Sequence, residues 1–307
     1  MRGSHDFTVT CQVGWLAQMS VRVNIDYAPN GRFDLGSAQL HLQPMVGIIQ
    51  IIHQSIDTGL NGTYYEDRIL QQQSHLIEKA EKEGKFENSV INRIIAYVAA
   101  LMESKSSMEV IVAVPTAGSC GTVGGLLRAV AENIGSENNE LVKAYFAAGI
   151  VGAFFAQGPG FSAEEHGCQV ECGAASGMAA AAVVQLMGGT AEQALGAASM
   201  AIQNMIGLVC DPVADRVEVP CLGKNISAAV NAYSSAIMAI AGFDAVIPLE
   251  QVIQTVSRVS KSMSSCVKCT GKGGLSITDT SLFLKRKLNE RHSGEDLSFL
   301  NESQLKK

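Results

Sequence analysis

The chain has 307 residues, of which 47% are hydrophobic and only 17% charged. That length and composition suit one large domain or two small ones around a sizeable buried core, and they exclude a disordered chain. A net charge of −6 speaks against a general nucleic-acid binder, which carries a basic stripe.

The first 45 residues read differently from the rest. Met1-Arg2-Gly3-Ser4-His5 resembles the opening of an expression tag, and no apolar stretch of the kind that marks a signal peptide follows it. Val21, Val23, Ile25 and Tyr27 alternate with polar residues. Ala28-Pro29-Asn30-Gly31 reads as a turn, and Phe33 and Leu35 resume the alternation, so residues 1–45 are expected to carry a β-hairpin appendage.

From about Pro44 the pattern turns helical. Segments near 46–58, 66–83, 88–104, 121–134, 139–156, 168–187, 191–206, 224–241 and 248–262 contain no internal proline, and many end in Gly, Pro, Asn, Asp or Ser. The expected fold class is mainly α: a compact multi-helix domain over 46–288 with central apolar helices. Val110–Val114 reads as a short strand or a buried extended run. Aromatics are only 6% of the chain, so Ala, Gly, Val, Ile, Leu and Met must fill the core. Residues 144–163 and 172–191 carry no charge, which invites a membrane-spanning reading. Gln157-Gly158-Pro159-Gly160 interrupts the first and Ser176 and Gln185 dilute the second. Helices at the centre of a globular bundle are therefore the preferred reading, with no membrane partner. Residues 289–307 form a polar tail with Leu297, Phe299 and Leu300 as its apolar patch.

Eight cysteines in a chain without a visible export signal point to a reducing cytoplasm, where they serve as buried thiols, nucleophiles or metal ligands. Three stretches join a cysteine to helix-end punctuation: Gly167-Cys168-Gln169-Val170-Glu171-Cys172-Gly173, Gly207-Leu208-Val209-Cys210-Asp211-Pro212-Val213-Ala214, and Val217-Glu218-Val219-Pro220-Cys221-Leu222-Gly223-Lys224-Asn225. Backbone amides at helix starts donate to thiolate or sulfide. With Pro115-Thr116-Ala117-Gly118-Ser119, Gly177-Met178-Ala179-Ala180-Ala181, Gly188-Gly189-Thr190-Ala191-Glu192-Gln193, Ala241-Gly242-Phe243 and Gly273-Gly274-Leu275, these stretches resemble the α subunit, or α domain, of the iron–sulfur-dependent L-serine dehydratases over roughly 45–280. Each motif alone is weak, and all of them in order are specific.

The resemblance implies a 4Fe-4S cluster held by Cys168, Cys210 and Cys221, with one iron left open as a Lewis acid. It implies β-elimination of water from L-serine through aminoacrylate to pyruvate and ammonia, a step of amino-acid catabolism and gluconeogenesis, without pyridoxal phosphate. It also implies a separate β subunit, since about 45 residues precede the matching region, and a dimer of heterodimers is one assembly open to it. Single-chain relatives can close the cluster with a terminal cysteine, whereas this chain ends Gln304-Leu305-Lys306-Lys307. Leu60–Asp67 departs from the family's glycine-rich stretch, which leaves open a lyase acting on another small β-substituted amino acid, or a cluster-binding subunit without catalysis.

Glu171 and His166 are the candidates for the base, each with a structural or solvent-facing role as the plainer reading. Thr116 and Ser119 offer hydroxyls and amides for a substrate carboxylate, or simply a helix cap, and Asn225 carries the same two readings. Cys172, Cys120 and Cys11 read as ordinary thiols. Cys266-Val267-Lys268-Cys269 has a C-x-x-C spacing that favours free thiols over a zinc or redox pair, because no second pair stands nearby.

Overall fold

A computed structural model describes residues 39–293 without a break, with side chains from 43 to 291, and ahead of them the backbone of four short strands. Strand β1 (Asp6–Thr10) pairs antiparallel with β2 (Ser20–Asn24), and β3 (Asp26–Tyr27) with β4 (Phe33–Asp34). The turn read at Ala28–Gly31, together with Ile25, Leu35 and Cys11, lies outside the described residues, as do Leu297, Phe299 and Leu300 of the tail.

Everything else of regular structure is helical, as the patterning requires. Among the described residues the α-helices are α1 (Gln39–Asn61), α2 (Ser74–Lys82), α3 (Val90–Ser106), α4 (Cys120–Ile134), α5 (Asn138–Gln157), α6 (Ala163–His166), α7 (Cys172–Leu186), α8 (Ala191–Gln203), α9 (Cys221–Ile240), α10 (Leu249–Ser262) and α11 (Asp279–Ser293). Their ends follow local chemistry. The Ser89 hydroxyl accepts from the Asn92 amide at the start of α3, and Thr190 and Gln193 form a reciprocal capping box at the start of α8.

Helix α7 is the axis of the bundle. All fifteen of its residues are buried, and α4, α5, α8 and α9 surround it. Its run of alanines lets those neighbours come close. At Gly177 a Cβ would stand 2.6 Å from both Cγ1 and Cδ1 of Ile202 on α8, so any larger residue there would have to push Ile202 aside. One polar tie crosses this apolar centre: the Ser176 hydroxyl donates to Ala228 O at 2.8 Å and accepts from Asn231 Nδ2 at 2.8 Å. No described helix is long and apolar enough to cross a membrane; residues 172–186 are core, and 144–155 bury one side of their helix while Gln157 and Gly158 are exposed.

The structure departs from the sequence reading in definite places. Residues 66–73 are not helical, because two buried carboxylates capture their amides: Glu218 Oε2 accepts from Ile69 N and Leu70 N, and Glu103 Oε1 accepts from Gln73 N and Ser74 N. The segment read as one helix over 168–187 is a 3-10 turn, Cys168–Val170, broken from α7 at Glu171. Residues 110–114 form no strand. Pro44 lies inside α1, and α11 runs on to Ser293, so the expected boundaries after residues 45 and 288 both fall within helices.

Candidate metal centre

The three cysteine stretches fold to one place. Cys168 opens the 3-10 turn directly after Gly167, whose φ of +73° is left-handed and whose Cα lies so near the chain that a Cβ would stand 2.9 Å from Leu208 O. The Gln169 side chain fastens this turn, donating to His166 O and Ser260 Oγ and accepting from Gly207 N. Cys210 lies on the strand-like run after α8, where its amide donates to Val267 O and its carbonyl accepts from Cys269 N, each at 2.8 Å. Cys221 is the first residue of α9, and Cys172 the first of α7, so the positive ends of two helix dipoles lie at this region. Cys168, Cys210 and Cys221 are 3%, 4% and 7% exposed, dry enough to shelter a labile group.

One sulfur of Cys168, one of Cys210 and a carboxylate oxygen of Glu171 lie within 4.8 Å of one another. Cys221 stands outside that tight group but near enough for its thiol to respond to the Cys168 charge. Two thiols and a carboxylate this close form a site that can hold a metal. Soft thiolate donors in a buried pocket suit iron–sulfur chemistry.

The charge in this nest is localised. Hydrogen bonds from the Cys172 and Cys210 thiols pull the Cys168 thiol down to about 4, against the opposing effect of burial. The partners move the other way: Cys210 is raised by its bonds to Cys168 and Cys269, and Cys172 by its bond to Cys168 and by burial. Burial, then the Cys168 charge, pushes Cys221 up to about 12. Burial and the Cys168 charge raise Glu171 to about 7.

Glu171 is held at both ends. The Thr116 hydroxyl donates to its Oε1 at 2.7 Å, and the Cys168 thiol lies 3.8 Å from its Oε2. Ser119 Oγ stands 3.1 Å from Thr116 Oγ1, so the turn before α4 meets the cysteine stretch through a short hydroxyl chain. Asn225 is fully buried and engaged on both sides: Nδ2 donates to Gly118 O at 2.8 Å and Cys221 O at 2.9 Å, while Oδ1 accepts from Thr122 N and Thr122 Oγ1. It ties the Thr116 turn to the helix that begins at Cys221. His166 Nε2 lies 3.5 Å from Glu165, and its buried Nδ1 has no hydrogen-bond partner among the described residues.

Sequence reasoning gave no site role to Cys269, whose thiol hydrogen-bonds to Cys210 and packs with Cys168, whereas Cys266 is exposed. Nor did it single out the cations. Lys224 Nζ donates to Asp211 Oδ1 at 2.6 Å and Val209 O at 2.7 Å, and Lys105, which donates to Val217 O, lies close enough to Cys221 to feel its charge. A lysine three residues after a cysteine at a helix start was the available signal for Lys224. Lys105 carried none, because it reaches the site from α3.

The family pattern described as Serine dehydratase alpha chain matches residues 27–276. The Bacillus subtilis (strain 168) protein named probable L-serine dehydratase, alpha chain, is 36% identical over 247 residues, covering 80% of this chain and 82% of that one. The Latilactobacillus sakei protein of the same name is 40% identical over 196 residues, covering 64% of this chain and 92% of that one. L-serine dehydratase 1 of Escherichia coli (strain K12) is 33% identical over 236 residues, covering 74% of this chain but 52% of the longer protein.

Proposed function

This chain belongs to the serine dehydratase alpha chain family, and from that premise we propose that it is one chain of a multi-subunit L-serine dehydratase, an ammonia-lyase converting L-serine to pyruvate and ammonia. The observation that carries the reading is the convergence of Cys168, Cys210 and Cys221 beside Glu171 and Thr116 in one buried recess. Cys168, Cys210 and Cys221 are the residues that would hold a 4Fe-4S cluster, and the donor set fits one. Bound there, the cluster supplies Lewis-acid chemistry toward the departing hydroxyl of the substrate.

The chain's own residues do the rest. Thr116 holds Glu171 Oε1, which leaves Oε2 to accept the proton from the substrate α-carbon. The turn Thr116–Ser119 receives the substrate carboxylate through its backbone amides and those at the head of α4. Asn225 acts on substrate through that turn, which it holds against α9. His166 is the alternative base, favoured by its unpartnered buried Nδ1. A separate β chain completes the enzyme, and a reducing cytoplasm is the compartment that keeps such unpaired cysteines as thiols.

The test is anaerobic. The chain is purified without air and analysed for iron and sulfide, then mixed with a β chain and L-serine while pyruvate is followed. About four irons per chain, as a 4Fe-4S centre requires, and serine-dependent pyruvate are expected. A chain that takes up no iron after reconstitution, or loads the cluster and yields no pyruvate with its partner, refutes the reading.

A further inference from the structure

We propose that Cys269 is a fourth, exchangeable ligand of the cluster, closing the open iron until substrate takes its place. The inference rests on the cluster reading above and goes beyond it by assigning the resting state of the open position. The Cys269 side chain packs against the small buried group formed by Ala163, Cys168 and Cys210. Its backbone is fixed to Cys210 itself, with Cys269 N donating to Cys210 O and Cys210 N to Val267 O, both at 2.8 Å. Cys269 sits at φ +58°, a left-handed conformation rare for a residue with a side chain, and this turn separates its thiol from that of the exposed Cys266. The far end of the same segment is pinned to the Cys210 loop, Leu275 N donating to Asp211 Oδ2 and Ser276 Oγ to Pro212 O.

Of the two spare thiols at the site, only Cys269 suits an exchangeable role. Cys172 is 2% exposed, begins the central helix and lies against Asn225 Nδ2, so moving it would disturb the core. Cys269 is partly exposed and rides on a loop segment outside the long helices. Binding deprotonates the Cys269 thiol, with the proton going to solvent. When substrate displaces it, the thiolate regains one proton, and no electron moves in either direction.

The experiment uses the full chain, reconstituted anaerobically, and follows iron release to a ferrous chelator by absorbance, with the EPR spectrum of the reduced cluster as a second readout. Cys269→Ala is compared with wild type and with Cys266→Ala. The expected result is a full complement of iron in all three, with one iron per chain leaving Cys269→Ala about tenfold faster, the scale on which losing a supporting ligand weakens a metal site. Its EPR spectrum differs from wild type before any L-serine is added, and Cys266→Ala matches wild type in both respects. If Cys269→Ala loads fully, releases iron at the wild-type rate and shows the wild-type spectrum, the proposal is overturned while the cluster reading stands. A wild-type chain that binds no cluster overturns both. Should the alanine variant fail to fold, the near-isosteric Cys269→Ser carries the same comparison, and wild-type rate and spectrum in it overturn the proposal equally.

Discussion

Replacing Asn225 by alanine separates the two readings of that residue, because its amide has protein partners on every side. The side chain gives hydrogen bonds to Gly118 O and Cys221 O and receives them from Thr122 N and Thr122 Oγ1. Not all of these partners are stranded by Asn225→Ala. Cys221 O keeps its helical bond one turn on, and the Thr122 hydroxyl still reaches Asn225 O at 3.3 Å. Thr122 N is left buried and unpaired, at about 1–3 kcal/mol, and the part-buried Gly118 O adds less, so the loss is about 1–5 kcal/mol. Against a total stability of about 5–15 kcal/mol this is severe. The assay is urea unfolding of the metal-free chain followed by circular dichroism, with the midpoint falling and the slope unchanged. A loss below about 1 kcal/mol would mean that the amide bonds do not hold the Thr116 turn to α9, and Asn225 would revert to a direct role with substrate.

Three further outcomes are expected. Cys210→Ala should abolish iron and sulfide uptake while Cys266→Ala leaves both near wild type; a Cys266→Ala chain without iron would sink the ligand assignment. Thr116→Val, which preserves shape and removes the donor to Glu171, should lower kcat by roughly ten- to a hundredfold, as loss of a hydrogen bond to a charged group does, with KM little altered; an unchanged kcat would show that Thr116 does not orient Glu171. Burial, and then the nearby Arg128 guanidinium, lower the pKa of His53, so protonation favours the unfolded chain. The stability that His53 contributes is present above its ordinary value of 6.5 and declines as pH falls from there through the lowered folded value. Wild type should therefore lose more stability than His53→Gln between neutral and mildly acidic pH, and parallel curves in urea titrations would refute this.

The helical bundle was legible because periodicity and end residues are local signals. Cys221 could be placed near a helix start from Pro220, whereas Cys172 was read one turn inside a helix beginning at 168. What local sequence could not carry was every contact made by a carboxylate across the fold. Residues 66–73 have helical patterning and stay irregular because Glu218 and Glu103, remote in the chain, bind their amides. Cys266 and Cys269 look like a pair by spacing, yet the left-handed turn at Cys269 and its bridge to Cys210 set them apart. Lys105 and Asp211 were silent for the same reason, since nothing beside them in sequence announces what they touch.

Helix α7 has no face for water, and that governs how the chain can be made. Two of the helices that cover it, α8 and α9, follow it in sequence, so a nascent chain that has just released Leu186 carries an apolar rod with half its sheath unsynthesised. The bundle cannot close until α9 emerges, near residue 240. Cys168 and Cys172 therefore wait on an unfinished protein for Cys210, Cys221 and Cys269 to be added. A cluster held by these cysteines would load only after folding and could not guide its early stages. Any truncation before Ile240 should yield a sticky fragment that chaperones hold and proteases clear, never a smaller working domain.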